Sequence, residues 1–299
     1  MSGIKVKSGI INVYKDKGYT SHDIVQILRK LLNLKRIGHT GTLDPDVTGV
    51  LPICIGRATR LVEYIQNDGK VYNGTLKLGI ATDTQDISGK IIEQSDKRIT
   101  QADFELILNK FIGEIEQIPP MFSAVHYKGQ RLHELARKGI VVDRPARKVY
   151  IKDLKILDFS FPYVKFECAC SKGTYIRTLA DDIGRELGCF ATLYDLERIA
   201  VGDYRVDESI SLDEIRKLVE IDDYSFISEM DTCINNLEAI YLDDKYYFAL
   251  VNGQRINMED EYKPNTLRIY CRDRFIGLGK YFKDSGKNYI KIEKMLYQE

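Results

Sequence analysis

One run of residues constrains this chain more than any other: Gly38-His39-Thr40-Gly41-Thr42-Leu43-Asp44-Pro45-Asp46-Val47-Thr48-Gly49. It has no helical or strand period, it is punctuated by glycine, and it locks a carboxylate in front of a proline. Proline fixes its own φ and biases the residue before it toward extended conformations, so the direction of Asp44 is largely set by the backbone. Such a segment is a shaped loop presenting one carboxylate, and the rest of the chain has to supply a frame for it. Asp-Pro alone is more often a plain turn, so its chemistry depends on what accompanies it.

The flanking segments read as that frame. Gly9–Tyr14 is a buried strand entering a Lys15-Asp16-Lys17-Gly18 turn. Thr20 or Ser21 caps a helix with apolar residues at Ile24, Ile27, Leu28, Leu31 and Leu32. Strands are expected around 71–79 and 90–94, and Thr100-Gln101-Ala102-Asp103 opens a helix by a capping box. Residues 118–148 have little apolar period and read as an excursion from the core, with a short helix at about 132–138. Val164, Phe166, Cys168 and Cys170 alternate with polar residues, which predicts a half-buried strand. Gly173 then turns into a helix with Ile176, Leu179, Ile183 and Leu187 on one side. A capping box at Ser211 opens another helix, and a boundary near residue 235 precedes short strands.

Composition excludes several classes. No stretch of the 299 residues approaches the roughly 20 apolar residues of a membrane span, and MSGIKVKSGI has no apolar run of a secretory leader. Cysteines at 54, 168, 170, 189, 233 and 271 form no CxxC pair, which points to a reduced cytoplasmic setting without a cysteine-rich zinc site. Lys+Arg and Asp+Glu balance at 44 each, yet the balance is uneven along the chain. Residues 1–60 are net basic, 124–155 and 263–294 each hold nine basic against three acidic residues, and 203–244 hold three against thirteen. A phosphate-binding face with an acidic rear has that pattern, as does ordinary solvated charge.

Asp44-x-Asp46-x-Thr48 also matches the loop of Mg²⁺-dependent aspartate-nucleophile phosphatases, with Asp181-Asp182 as later metal ligands. That loop must end a hydrophobic strand, and 38–42 is polar and glycine-rich. His133-Glu134 lacks the second histidine of a zincin, and no P-loop or complete GxGxxG is present. A non-catalytic RNA-binding protein is the other reading from a different class.

The longer string GHTGTLDPDVTGVLPICIGRATRL resembles the signature of the TruB/dyskerin class of pseudouridine synthases. Lys15, Gly18, Thr20, Ser21 and Asp23 resemble that family's opening motif, with Asp16 where the family has proline. Lys70-Val71-Tyr72 resembles its tyrosine-bearing strand, and residues 117–124 with Tyr127-Lys128-Gly129 its insertion. Ser171–Leu179 resembles its arginine motif, and Leu196-Glu197-Arg198-Ile199-Ala200-Val201-Gly202 closes the set. The motifs occur in family order over about residues 9–202. A weaker likeness of 236–299 to a PUA-type β-barrel rests on Phe248–Gln254 and Gly277-Leu278-Gly279.

What the resemblance implies is an α+β fold. A catalytic domain over 1–235 is built on a mixed, mainly antiparallel sheet with flanking helices and a basic insertion at about 118–152. A small PUA-like RNA-binding β-barrel covers 236–299. The implied reaction isomerises uridine at position 55 in the T loop of tRNA without cofactor or metal. Asp44 is the implied nucleophile or proton acceptor, Tyr72 the ring on the flipped base, and Arg177 the partner of Asp44. His39, Tyr175 and Leu196 are implied around the base, with Lys15 supporting the loop. Read alone, Tyr72 and Leu196 are core residues, and His39 is a hydrogen-bonded loop residue. Arg177 is odder, because a cation at a helix start opposes the macrodipole and calls for a carboxylate. The expected partner is the tRNA T-arm, with no DNA, no membrane and no obligatory protein partner, the enzyme being a monomer. A guide-RNA-dependent dyskerin type is the alternative within the family, usually with an extension before the first motif that this chain lacks.

Overall fold

The computed structural model describes residues 8–262 and 266–297. The leader reading of MSGIKVK and the charge of Lys263 lie outside the described residues. In chain order the first elements are β1 (Gly9–Lys15), α1 (Ser21–Leu31), β2 (Ile37–His39), β3 (Thr48–Ile55), α2 (Val62–Asn67), β4 (Lys70–Leu78), β5 (Ile80–Thr82), β6 (Ile91–Gln94) and α3 (Gln101–Leu108). There follow β7 (Gly113–Gln117), β8 (His126–Tyr127), β9 (Gln130–Arg131), α4 (Leu132–Arg137), β10 (Arg147–Ser160), β11 (Tyr163–Cys170), α5 (Ile176–Glu186), β12 (Ala191–Val201), β13 (Tyr204–Arg205) and α6 (Leu212–Glu220). The last are β14 (Ala239–Leu242), α7 (Tyr247–Val251), β15 (Ile256–Met258), β16 (Thr266–Cys271), β17 (Arg274–Asp284) and β18 (Lys287–Met295).

Local chemistry explains where the helices begin. Thr20, Thr100 and Ser211 each accept from the backbone N–H of N3, while Asp23, Asp103 and Glu214 reach back to the cap: three reciprocal capping boxes. Thr20, rather than Ser21, is the cap of α1, which frees the Ser21 hydroxyl for another use described below.

The main sheet has nine strands in the order β1-β3-β12-β4-β11-β10-β7, with β2 on β3 and β13 on β12. Every pairing is antiparallel except β3 with β12, where Thr48 and Gly49 run parallel to Glu197 and Arg198. The mixed, mainly antiparallel sheet with flanking helices is therefore as expected. One face packs Ile24, Val25 and Leu28 of α1, Phe104 and Leu108 of α3, Ile176, Leu179 and Ile183 of α5, and Leu212 and Ile215 of α6. The other face buries Ile10, Val50, Cys54, Ile65 and Val201. The acidic segment covers the edge strand β1 through Ser228 on Ile10 and Ile210 on Asn12 and Tyr14, which removes an open edge.

Three long strands carry no strand signal in the sequence, for physical reasons. β3 is buried almost throughout and so has no polar alternation. Register shifts at Ile151/Asp153 and Ile156/Asp158 in β10, and at Leu193/Asp195 and Arg198/Ala200 in β12, break the period of two.

The C-terminal strands form a five-stranded sheet in the order β14-β16-β17-β18-β15. The expected barrel is coarser in fact: the pairing runs as one open order, and among the described residues β14 and β15 do not close on each other. Leu278 and Leu296 pack with Leu61 and Ile234, and Arg60 donates to Met295 O at 2.9 Å, so this sheet rests on the segment between β3 and α2. No helix among the described residues is long and apolar enough to cross a membrane.

Gly49 is the tightest point between β3 and β12. Its φ is +107°, and a Cβ there would lie 2.2 Å from the Arg198 carbonyl oxygen. Gly49→Ala is expected to destabilise the fold by at least about 2 kcal/mol, as strained backbone and overpacking combine. Chemical denaturation of the two proteins checks this, and a loss below about 0.5 kcal/mol would contradict the close approach.

Candidate active site

The loop after β2 is tied down on both sides of Asp44. Ser21 Oγ accepts from Leu43 N at 2.8 Å, and Leu43 and Val47 are buried in the main core. On the other side Gly18 N donates to Pro45 O at 2.8 Å, and Val47 N donates to Asp44 O at 3.1 Å. Thr40 donates through both its N–H and its hydroxyl to Pro52 O, each at 3.1 Å. With its neighbours held, Asp44 turns outward, and its side chain is 48% exposed.

Lys15 is wholly buried beneath the loop. Its ammonium donates to Asp16 O at 3.0 Å, Tyr19 O at 2.8 Å and Pro45 O at 3.3 Å. Burial pushes it down to about 8, against the opposing pull of Asp44, Asp16 and Asp46. All three of its N–H bonds are spent on main-chain carbonyls, which leaves none for a substrate.

Arg177 enters from the first turn of α5. Gly173, at φ +83°, makes the turn from β11. Gln117 then holds the helix start by accepting from Tyr175 N at 3.0 Å and donating to Tyr175 O at 3.3 Å. The Arg177 side chain is only 9% exposed, and its Nη2 lies 2.9 Å from Asp44 Oδ2. Nη2 also donates to Phe122 O at 2.9 Å; Nη1 donates to Thr84 O at 3.1 Å and to Asp86 Oδ2 at 3.3 Å. Two carboxylates thus compensate the cation at a helix N-terminus.

Asp44, Tyr72, Tyr175, Arg177 and Leu196 line one cavity of about 540 Å³, with exposed Arg147, Lys148 and Lys172 also on its walls. Tyr72 faces inward from β4, and Leu196 stands opposite Gly74 on β12. A Cβ at Gly74 would meet Phe166 at 2.4 Å and Leu196 at 3.1 Å, so the glycine makes room for both. Burial raises the Tyr72 phenol above its usual range, and the Arg198 guanidinium opposes that rise.

Of the sequence-derived candidates, His39 is placed outside the cavity, whereas Lys15 lies beneath the loop, where the resemblance implies a support. His39 pairs with Ile53 across β2 and β3, its Nδ1 has no hydrogen-bond partner among the described residues, and burial together with Arg198 lowers its imidazole.

Three positions around Arg177 and the cavity were not singled out from sequence. Asp86 had a legible signal, because Asp-x-Ser-Gly is a side-chain-stabilised turn: Asp86 Oδ1 accepts from Ser88 N at 3.1 Å and from Thr84 Oγ1 at 2.8 Å. Arg198 lies two residues from Leu196 on the same strand face and is 2% exposed. Lys70 is buried on the cavity wall and bonds Gln66 O and Asp68 O, each at 2.7 Å.

Asp181 and Asp182 do not act together. Asp181 pairs with Arg185 Nε at 2.8 Å, whereas burial and then Asp181 push Asp182 from 3.8 up to about 6. A carboxyl raised on folding binds more protons in the native state between those values. Its penalty is complete above pH 6 and fades as pH falls toward 4. Asp182→Asn is therefore expected to stabilise the fold by ~1 kcal/mol at pH 7 and to flatten its stability between about pH 4 and 6. Thermal melts across that window check both; equal stability at pH 7 would contradict the burial of an unpaired carboxylate.

Comparison with known proteins adds an independent line. The chain matches the family model described as TruB family pseudouridylate synthase (N terminal domain) over residues 29–176. It matches the tRNA pseudouridylate synthase B C-terminal domain over 177–241 and the pseudouridine synthase II TruB C-terminal model over 239–286. A Clostridium tetani protein named tRNA pseudouridine synthase B is 44% identical over 294 residues, covering 97% of this chain and 99% of the relative. A Clostridium acetobutylicum protein of the same name is 40% identical, covering 95% and 99%. Among solved structures, a crystal structure of a Cbf5-Nop10-Gar1 complex contains a similar chain, with TM-score 0.74 and 26% identity over 97% of this chain and 85% of that one.

Proposed function

The chain belongs to the TruB family of pseudouridylate synthases, and from that premise we propose that it converts uridine to pseudouridine at position 55 in the T loop of tRNA. The observation that carries this reading is the Asp44–Arg177 pair at 2.9 Å, set in a cavity that also holds Tyr72 and Leu196. A carboxylate whose neighbours are pinned and whose oxygen is held by a buried guanidinium is oriented before substrate arrives.

The reaction needs no co-reactant. The N1–C1′ bond breaks, the uracil turns, C5 bonds to C1′, and the proton lost from C5 is balanced by one gained at N1. Asp44 supplies the carboxylate that acts as nucleophile or proton acceptor. Tyr72 packs on the flipped base, Tyr175 and Leu196 line its pocket, and Lys15 supports the loop from beneath. A base in a folded RNA has to leave its stack to reach such a pocket, and contacts inside the pocket offset the unstacking. Arg147, Lys148 and Lys172 on the cavity wall are suited to the phosphates on either side.

We assign residues 1–235 to catalysis and 236–299 to a PUA-like RNA-binding unit, in a monomeric cytoplasmic enzyme. The names of relatives matched over nearly their whole length support tRNA as the substrate and do not favour a guide-RNA-dependent reading. Family membership sets aside the phosphatase and the non-catalytic RNA-binding protein.

Incubation with an unmodified tRNA transcript followed by pseudouridine mapping tests the reading. The wild-type protein is expected to modify position 55, and Asp44→Asn to bind tRNA with nearly unchanged affinity and form no product. Turnover by Asp44→Asn at the wild-type rate would return the loop to a structural role. Arg177→Lys keeps the charge but loses the fork that serves Asp44, Asp86 and two carbonyls together. Its single-turnover rate is expected to fall by roughly 10²-fold with tRNA affinity retained. A defect confined to affinity would make Arg177 a phosphate contact.

A further inference from the structure

Arg198 is the largest fully buried side chain of the protein, and the reading above gives it no role. Its Nε donates to Val50 O at 2.8 Å and its Nη2 to Gly41 O at 3.5 Å. Tyr72 stands directly across the strand pair β12–β4, so its phenol oxygen is the next group the guanidinium reaches. Among the described residues no carboxylate pairs with Arg198, whereas Arg177, the second residue of α5, has two. A buried cation held only by neutral oxygens is costly, and buried charges are normally paired.

The surrounding groups do not relieve that cost. Burial lowers Lys70, His39 and Lys15, and the positive charge of Arg198 adds to that lowering in each. Cys168 lies across from Tyr72 on β11, and neither it nor Cys170 supplies a carboxylate. Tyr72 is therefore the acidic oxygen that meets Arg198 most directly. Arginine has only donors, so the bond runs from guanidinium to phenol oxygen, and the phenol's own proton must point elsewhere. Both Tyr72 and Arg198 line the cavity.

Building on the isomerase reading, we propose that Arg198 is a positioning residue for the reaction: it fixes Tyr72 as a hydroxyl that accepts from Arg198 and turns its proton to the cavity, in register with the Gly41 loop and Val50 of β3. The same guanidinium holds the ring that meets the base, the loop that carries Asp44 and the strand that follows it. Any negative charge that develops on the Tyr72 oxygen during proton transfer meets a cation already in place, with no reorganisation.

The test uses full-length protein carrying 3-fluorotyrosine at position 72 in wild-type, Arg198→Met and Arg198→Lys forms. Three readouts are taken: the fluorine NMR titration of the phenol, tRNA affinity, and the single-turnover rate on unmodified tRNA. For Arg198→Met the phenol is expected to titrate at higher pH than in wild type. Affinity should stay within about threefold, and the rate should fall on the order of 30-fold, the scale of a misplaced reacting group. Arg198→Lys keeps the charge without the fork, so its titration should lie nearer wild type, with an altered fluorine resonance and a smaller loss of rate. That variant carries the test if Arg198→Met does not fold. An unchanged titration and resonance, or a rate loss matched by lost affinity, would make Arg198 a structural tie and overturn the proposal. Failure of the wild-type protein to form pseudouridine would instead defeat the isomerase reading, while the fluorine titration would still report on the Arg198–Tyr72 bond.

Discussion

One buried guanidinium joins four separate parts of the chain. Arg177 takes Asp44 from the loop after β2, Asp86 and the Thr84 carbonyl from the turn between β5 and β6, the Phe122 carbonyl from the insertion, and its own place from α5. None of these segments belongs to a regular element where it meets Arg177, apart from the helix. A cation with so little exposure is costly unless oxygens surround it, so the four segments have to arrive together. The cavity is what remains between them.

The same logic recurs with Lys15, Lys70 and Arg198, which are buried around the site and bonded mainly to backbone carbonyls. Burial drives Lys15 and Lys70 each down to about 8, a direct sign of what it costs to keep these charges from water. Each of the three pins an otherwise irregular stretch: the turn after β1, the end of α2, and the loop and strand on either side of Asp44. Loops usually carry mobility. Here the buried cations replace the missing ladder bonds, so a polar glycine-rich loop can hold the Asp44 carboxylate still.

The outer charges are arranged differently. Lys148 pairs with Glu114, and Lys110 with Glu186, in exposed geometry that adds little to stability. Around the cavity it is Arg147, Lys148 and Lys172 that stand exposed and set a positive field. The acidic segment instead lies along β1, through Ser228 and Ile210.

Much of this was legible in the residues themselves. The capping boxes at Thr100 and Ser211, the alternation in β11, the turn at Gly173 and the fixed direction of Asp44 follow from local rules, because each depends on neighbours within a few residues. A misplaced cation at the start of α5 even pointed to its carboxylate partner. Tertiary structure alone decided that Asp86 shares that cation, that Lys15 spends its donors on carbonyls, and that Arg198 stands against Tyr72. It also decided that β3 and β12 lie side by side with Gly49 as the spacer, though neither shows a clean period. The physical reason is the same in each case. Burial of a charge, or of both faces of a strand, is offset by groups that the fold brings in from other segments, Pro45 for Lys15 and Asp86 for Arg177 among them, and no local pattern records where those groups will be.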